Sequence, residues 1–172
     1  MREKVMWTET KLASSRLIYC MGITQVGKST YAKYFSKKYN HHLLEHDKVW
    51  DFKIPDTEQW DHFIGTVKDC LNQYGNVIMD GLEFCAANKF QKIFPFAKPI
   101  LFYTDYNVLQ DRFMRRYNRK HPTAEAFIKQ RLIDAYRSLI DYDPFTIINN
   151  VKHELVDPKI FFSHLGEDFH VD

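Results

Sequence analysis

Cysteine is scarce in this chain, and its distribution excludes two architectures. Cys20, Cys70 and Cys85 are odd in number and form no Cys-x-x-Cys pair, so neither a disulfide framework nor a zinc-thiolate site is encoded. The eight histidines (41, 42, 46, 62, 121, 153, 164 and 170) show no metal-ligand spacing either. No apolar run approaches the roughly 18 residues that a bilayer crossing needs, and the charged N-terminus lacks a signal-peptide core. The cytoplasm, of a cell or of an infected host, is the expected compartment. Repeats and low-complexity linkers are absent, and a net charge of +2 is too small to demand a polyanionic partner. Neither a membrane nor a stable protein partner is expected. Arginine is missing from Leu17 to Asp111; that gap bears on the substrate below.

Within 172 residues of 45% hydrophobic content, enough for one buried core, one segment carries most of the functional information. Gly22-Ile23-Thr24-Gln25-Val26-Gly27-Lys28-Ser29 spells G-x-x-x-x-G-K-[ST], the cradle for a nucleoside triphosphate. Its glycines let the backbone turn tightly enough to aim successive N–H groups at phosphate oxygens. Lys28 reaches the outer phosphates, and the Ser29 hydroxyl can hold a magnesium ion. The nucleotide contacts expected here are Gly22, Thr24, Gln25, Val26, Gly27, Lys28, Ser29 and Thr30. Ahead lies Leu17-Ile18-Tyr19-Cys20-Met21, an apolar run suited to a buried parallel strand. Behind, Ser29 to Tyr39 sets Tyr31, Ala32, Tyr34 and Phe35 on one helical face. Strand, glycine loop and helix are the context the motif needs, because the helix N-terminus adds partial positive charge to the anion site.

The rest of the chain alternates strand-like and helix-like segments. Met1 to Ser15 shows no period and is expected to be a leader packed loosely on the surface. His42 to His46 forms a second strand ending at Asp47. Asp56 caps a helix whose Trp60, Phe63, Ile64, Val67 and Leu71 recur at helical spacing until Tyr74-Gly75 stops it. Asn76 to Gly81 makes a third strand with an acidic end, and Ala86 to Phe94 a short helix. Pro99 to Tyr103 makes a fourth strand, followed by a helix capped by Asp105 and running to about Lys120. Pro122 opens a further helix, Phe145 to Asn149 is a fifth strand, and Asp157-Pro158 starts a last short helix. Short apolar strands separated by helices predict an α/β fold, a five-stranded parallel sheet with helices on both faces. Ligands on such sheets bind at the carboxyl ends of the strands, where the glycine loop, Asp47 and Asp80 all fall.

Between Leu17 and Asn150 the chain resembles, in separated motifs, the small P-loop kinases of the adenylate kinase type, relatives of nucleotide, nucleoside and polynucleotide kinases. Val77-Ile78-Met79-Asp80-Gly81 is similar to their hydrophobic strand ending in Asp-Gly, and the resemblance implies that Asp80 holds magnesium through water. Tyr103-Thr104-Asp105 followed by Leu109 to Arg116 resembles their segment after the fourth strand, where two arginines four residues apart border the lid. It implies that Arg112 lies against the adenine and Arg116 on the phosphates, or the converse. Pro144 to Asn150 is similar to the last core strand of guanylate and dephospho-coenzyme A kinases, which often ends in Asn; Asn149 takes that place as a nucleotide contact. The implied architecture is the three-layer P-loop NTPase fold, a single kinase domain over residues 16–172 behind a leader at 1–15, using ATP and magnesium.

Physical chemistry gives these residues the same tasks. Phosphoryl transfer needs positioning and cations aimed at the moving group. Arg112, Arg116 and Arg119 share one helix face, which also fits a solvated basic face. An Asp such as Asp47 at the end of the second strand can orient a hydroxyl nucleophile, or can serve only as a turn carboxylate. Monophosphate kinases instead clamp the acceptor phosphate with an arginine fork, and no arginine lies between Leu17 and Asp111. Lys48, Lys53 or Lys89 could stand in as point charges. Where adenylate kinases continue Phe-Pro-Arg, this chain has Leu82-Glu83-Phe84. Trp50 is a candidate base-stacking residue; Trp60 reads as core.

The expected activity is transfer of the gamma-phosphate of ATP to a hydroxyl of a nucleoside, nucleotide or nucleic acid, with Lys28, Asp47, Arg112 and Arg116 catalytic and Ser29 and Asp80 at the metal. A nucleoside monophosphate kinase using lysines is the alternative enzyme. A regulatory module that binds and slowly hydrolyses NTP is the alternative of another class, although the N-K-x-D reader of guanine switches is missing: Asn88-Lys89 continues Phe90-Gln91.

Overall fold

Leu17–Met21 forms β1 with every residue buried, because it lies inside the sheet and is covered on both faces. In this computed structural model the described residues are 9–22, 25–51, 53–82, 84–104, 106–120, 130, 146–149 and 154–156. A helical segment, α1, spans 9–13. After β1 come α2 (Lys28–Tyr39), β2 (His42–Leu44), α3 (His46–Val49), α4 (Asp56–Tyr74), β3 (Val77–Met79) and α5 (Phe84–Ile93). β4 (Lys98–Tyr103), α6 (Tyr106–Tyr117), β5 (Thr146–Asn149) and β6 (Glu154–Val156) complete the order. The helices expected from Pro122 and from Asp157 lie outside the described residues.

The sheet runs β2-β3-β1-β4-β5-β6. Its first five strands pair in parallel, with Tyr19 opposite both Met79 and Pro99, while β6 returns antiparallel along β5. The five expected strands are therefore joined by a sixth, three residues long, and the sheet is not purely parallel. Alternation along β1 divides the core. Leu17, Tyr19 and Met21 face α4 and α5 through Phe63, Val67, Leu71, Ala87 and Phe90. Ile18 and Cys20 face α2 through Ala32 and Phe35 on the other side. Helices thus cover both faces, and each buried Leu, Ile or Phe contributes about 1.5 to 3 kcal/mol.

Among the buried polar side chains, Gln59 Oε1 and Thr104 Oγ1 have no hydrogen-bond partner among the described residues, whereas the Gln91 amide is paired through both its atoms. Tyr19 Oη donates to Gln91 Oε1 at 2.5 Å, and Gln91 Nε2 donates to the Ala97 carbonyl at 2.9 Å, which fixes α5 on the sheet. Gly75, at φ 80°, ends α4 as expected, its N–H closing on the Leu71 carbonyl at 2.9 Å. Asp56 is the first residue of α4 rather than its cap. Pro55 holds that position, its carbonyl accepting from the N–H groups of Glu58 and Gln59.

The described part of the N-terminal segment, from Glu9 onward, is not loosely packed. Leu12 sits in the α2-side core, and Glu9 is only 7% exposed. Its carboxylate accepts from the hydroxyls of Tyr31 (3.2 Å), Tyr34 (3.3 Å) and Tyr39 (3.0 Å), and from Lys38 Nζ at 3.2 Å. Burial of a carboxylate is tolerated because four donors replace its water.

Candidate active site

β1 is flanked by β3 on one side and β4 on the other, so the chain leaves its carboxyl end at the point where the strand order reverses. The turn there is left-handed twice. Gln25 has φ 71° and Gly27, the N-cap of α2, has φ 97°. Such alternation points successive N–H groups into one concavity, the backbone geometry that binds anions. Gly22, at φ 150°, has no room for a side chain: an added Cβ would lie 2.8 Å from Val26 Cγ1 and 3.1 Å from the Phe102 carbonyl. The loop is thereby packed directly on the end of β4. Ile23 and Thr24 lie outside the described residues.

Lys28, the first residue of α2, folds back over the loop, and its Nζ donates to the Gly22 carbonyl at 2.5 Å. Its stem passes Gly81, where an added Cβ would lie 3.9 Å from Lys28 Cε and 3.8 Å from His46 Cβ. Burial pulls the Lys28 ammonium below its usual range, while Cys20, Asp80 and Asp47 act in the opposite direction. Cys20, beneath the loop, is pushed well above the usual thiol range by burial and by Asp80, with Lys28 opposing. It is an inert core thiol.

Ser29 and Asp80 meet across the cleft, with Ser29 Oγ donating to Asp80 Oδ2 at 3.3 Å. Asp80 Oδ1 accepts from the backbone N–H of His46 at 2.8 Å, and the Asp80 N–H reaches the Leu44 carbonyl at 3.2 Å. A hydroxyl and a carboxylate side by side at a phosphate loop suit a small hard cation that keeps several waters. Magnesium fits this donor set, with Ser29 and Asp80 to hold it.

Asp47 stands elsewhere than expected. β2 stops at Leu44, and Asp47 lies inside α3 with its carboxylate open to solvent (105% relative exposure), 3.6 Å from His46 Nδ1. The His46 ring lies between Trp50 (6.0 Å, stacked) and Phe63 (5.5 Å, edge-on). Phe63 also neighbours Trp60, over which Lys89 Nζ sits at 4.4 Å. Trp60 packs on the core, as expected. Trp50 lines a cavity of about 660 Å³ with Lys48, Asp51, Lys53 and His62; its described walls come from β2, α3, the turn after α3 and α4.

Of the two arginines, one reaches the loop: Arg112 Nη1 donates to the Gln25 carbonyl at 2.9 Å. Arg116 is exposed and its guanidinium lies over the Tyr117 ring at 5.4 Å. Thr30 is exposed on the first turn of α2, and Val26 is buried beneath the loop. The Asn149 backbone pairs with Tyr103 and Glu154; its side chain lies outside the described residues. The sequence reading missed the His46 backbone N–H as the holder of Asp80. No residue type encodes such a donor; the only local trace is the small Gly81 that makes room beside it.

No protein-family model matches the chain, and no curated protein matches it by sequence. Solved structures do match. A gluconokinase from Sinorhizobium meliloti 1021 superposes with a TM-score of 0.55 at 13% identity, over 87% of this chain and 88% of that one. The YorR protein from Bacillus subtilis, in complex with phosphorylated GDP, gives 0.53 at 16% identity over 90% and 99%. Shikimate kinase from Acinetobacter baumannii, in complex with shikimate, gives 0.51 at 16% identity over 91% and 94%. No helix among the described residues is long and apolar enough to cross a membrane. With β1, the glycine loop and α2 at the switch point of an α/β sheet, the chain has the fold of the P-loop kinases of the adenylate kinase type.

Proposed function

We propose that this protein is an ATP-dependent kinase that transfers the gamma-phosphate to a hydroxyl of a nucleoside, nucleotide or nucleic acid. The observation that carries the reading is the convergence of Lys28, Ser29 and Asp80 at a loop with two left-handed residues. The loop amides and Lys28 bind the triphosphate, and Arg112, already anchored on the Gln25 carbonyl, borders it. Magnesium, when bound between Ser29 and Asp80, supplies charge neutralisation for the phosphates. Arg116 covers the transferring group from α6.

Asp47 orients the acceptor hydroxyl and takes its proton. Its open carboxylate, on the short helix whose first N–H holds Asp80, supports that role. A hydroxyl acceptor is further supported by the lack of an arginine from Leu17 to Asp111, which leaves that stretch without a planar fork for an acceptor phosphate. Trp50, stacked on the His46 ring and lining the cavity, offers an aromatic face suited to a flat acceptor such as a base, with Phe63 and Trp60 packed on the core behind it. Proteins of the same fold include a gluconokinase and a shikimate kinase with shikimate bound, an analogy of fold only.

The test is incubation with gamma-labelled ATP and a panel of nucleosides, nucleoside monophosphates, 5′-hydroxyl oligonucleotides and hydroxymethylated DNA. Label on a hydroxyl acceptor is expected. Label on the phosphate of a monophosphate alone overturns the hydroxyl assignment, and phosphate released only to water makes the protein a nucleotide-hydrolysing module instead.

A further inference from the structure

We infer that the outer face of α6 and the turn that follows it to Lys120 form a track for single-stranded nucleic acid, so that the acceptor hydroxyl sits at the end of such a strand. The inference rests on the kinase reading above and narrows its acceptor.

Charge is concentrated there. The nine residues from Arg112 to Lys120 hold five cations and no carboxylate, although the chain as a whole carries only +2, so the remainder of the protein is net acidic. Asp111, the neighbouring acid, is bound to Arg115 at 2.9 Å. Arg115, Arg116, Arg119 and Lys120 are all exposed.

The patch is not merely basic. Met114 and Tyr117 are each 40% exposed among these cations. Arg116 and Arg119 both lie over the Tyr117 ring, at 5.4 and 5.8 Å from its centre. A partly exposed aromatic ring beside two guanidinium groups offers flat surfaces on which unpaired bases stack, while the charges follow the backbone. A solvated basic face needs no such ring.

Direction supplies the link to catalysis. The stripe is anchored at its inner end, where Arg112 donates to the Gln25 carbonyl of the phosphate loop. From Arg112 to Tyr117 the helix then advances about 8 Å, the span of two to three stacked nucleotides. A polyanion lying on α6 therefore has one end at the phosphate loop and the rest leading away from it. A free nucleoside would leave Tyr117, Arg119 and Lys120 unused.

The experiment is fluorescence anisotropy of the full chain with a fluorescein-labelled single-stranded DNA of about 12 nucleotides, in a salt series from about 50 to 200 mM. Binding that weakens with salt is expected, with log K against log salt sloping by about −0.7 for each phosphate contacted. The double variant Arg119→Gln, Lys120→Gln should flatten that slope by about 1.4. Arg119→Lys, which keeps the charge, should leave the slope as it was. Tyr117→Ala should weaken binding at every salt concentration without changing the slope. No binding, a slope unmoved by the double variant, or equal affinity for a duplex of the same sequence overturns the proposal. The kinase reading is judged separately, by ATP binding and by label transfer to free nucleosides in the same preparation. Transfer to nucleosides without oligonucleotide binding removes the track and keeps the kinase; oligonucleotide binding without ATP binding removes the kinase.

Discussion

Asp80 and His46 are joined by a 2.8 Å hydrogen bond from the His46 backbone N–H to Asp80 Oδ1, while Oδ2 of the same carboxylate receives Ser29 Oγ at 3.3 Å. One side chain thus ties the helix that carries Asp47 to the helix that carries Lys28. Asp80→Asn retains an oxygen for His46 but removes the negative charge. It should lower transfer by about 100-fold or more while changing the melting temperature little. Asp80→Ala removes both and should also cost about 1 to 2 kcal/mol of stability. Magnesium titration of the rate and thermal unfolding of the two variants check this; equal melting temperatures would show that the His46 contact does not hold α3.

Asp47→Asn should reduce transfer by about 100- to 10,000-fold, the contribution of a positioned general base, and leave affinity for a non-hydrolysable ATP analogue nearly intact. Calorimetric titration with the analogue decides it. A large loss of ATP affinity would place Asp47 on the nucleotide side.

What the sequence made legible and what it hid divide along the range of the interactions. Leu17 to Met21 and the α4 stripe at Phe63, Ile64, Val67 and Leu71 are local patterns, and both appear where they were expected. α3 was missed because four residues cannot show a period, so Asp47 was assigned to a strand end. β6 is only three residues long and has no run to read. Asp56 looked like a cap, but Pro55, with φ −54°, already fixes the turn and offers its carbonyl to the first N–H groups of α4. The Glu9 cluster joins residues 22 to 30 positions apart, and the hold on Asp80 comes from a main-chain donor. Neither leaves a signature in neighbouring residues.

Glu9→Ala should destabilise the protein by about 2 to 3 kcal/mol, because a buried carboxylate with four donors is removed and the Tyr31 hydroxyl loses its acceptor. Chemical denaturation measures it. Glu9→Gln should lose less, since its amide oxygen still accepts. An unchanged midpoint for both would mean that α1 is not docked on α2 in solution.

Stability should also fall steeply at alkaline pH through Cys20. Its thiol is held protonated in the folded protein by burial, and by Asp80 after that, above an ordinary value of 9.0. Below pH 9 both states keep the proton and pH has no leverage here. Above it the unfolded chain loses a proton that the folded chain keeps, so unfolding is favoured by up to about 1.4 kcal/mol per pH unit. Urea midpoints between pH 8 and 10.5 (about the lysine range) should decline less steeply in Cys20→Ala than in the parent. Parallel declines would remove Cys20 from the account.

The division of β1 between two cores has a consequence for how such a chain can vary. Leu17, Tyr19 and Met21 belong to one layer, and Ile18 and Cys20 to the other. Losing or gaining a single residue there would exchange the two sets and carry Gly22 away from its seat on Phe102. The turns after β2 and β3 are held by the His46–Asp80 contact, so a length change is easier to place in the turn between α3 and α4. That turn carries Trp50, Asp51 and Lys53 into the cavity, so a chain of this build can reshape the cavity while Gly22 and Asp80 keep their places.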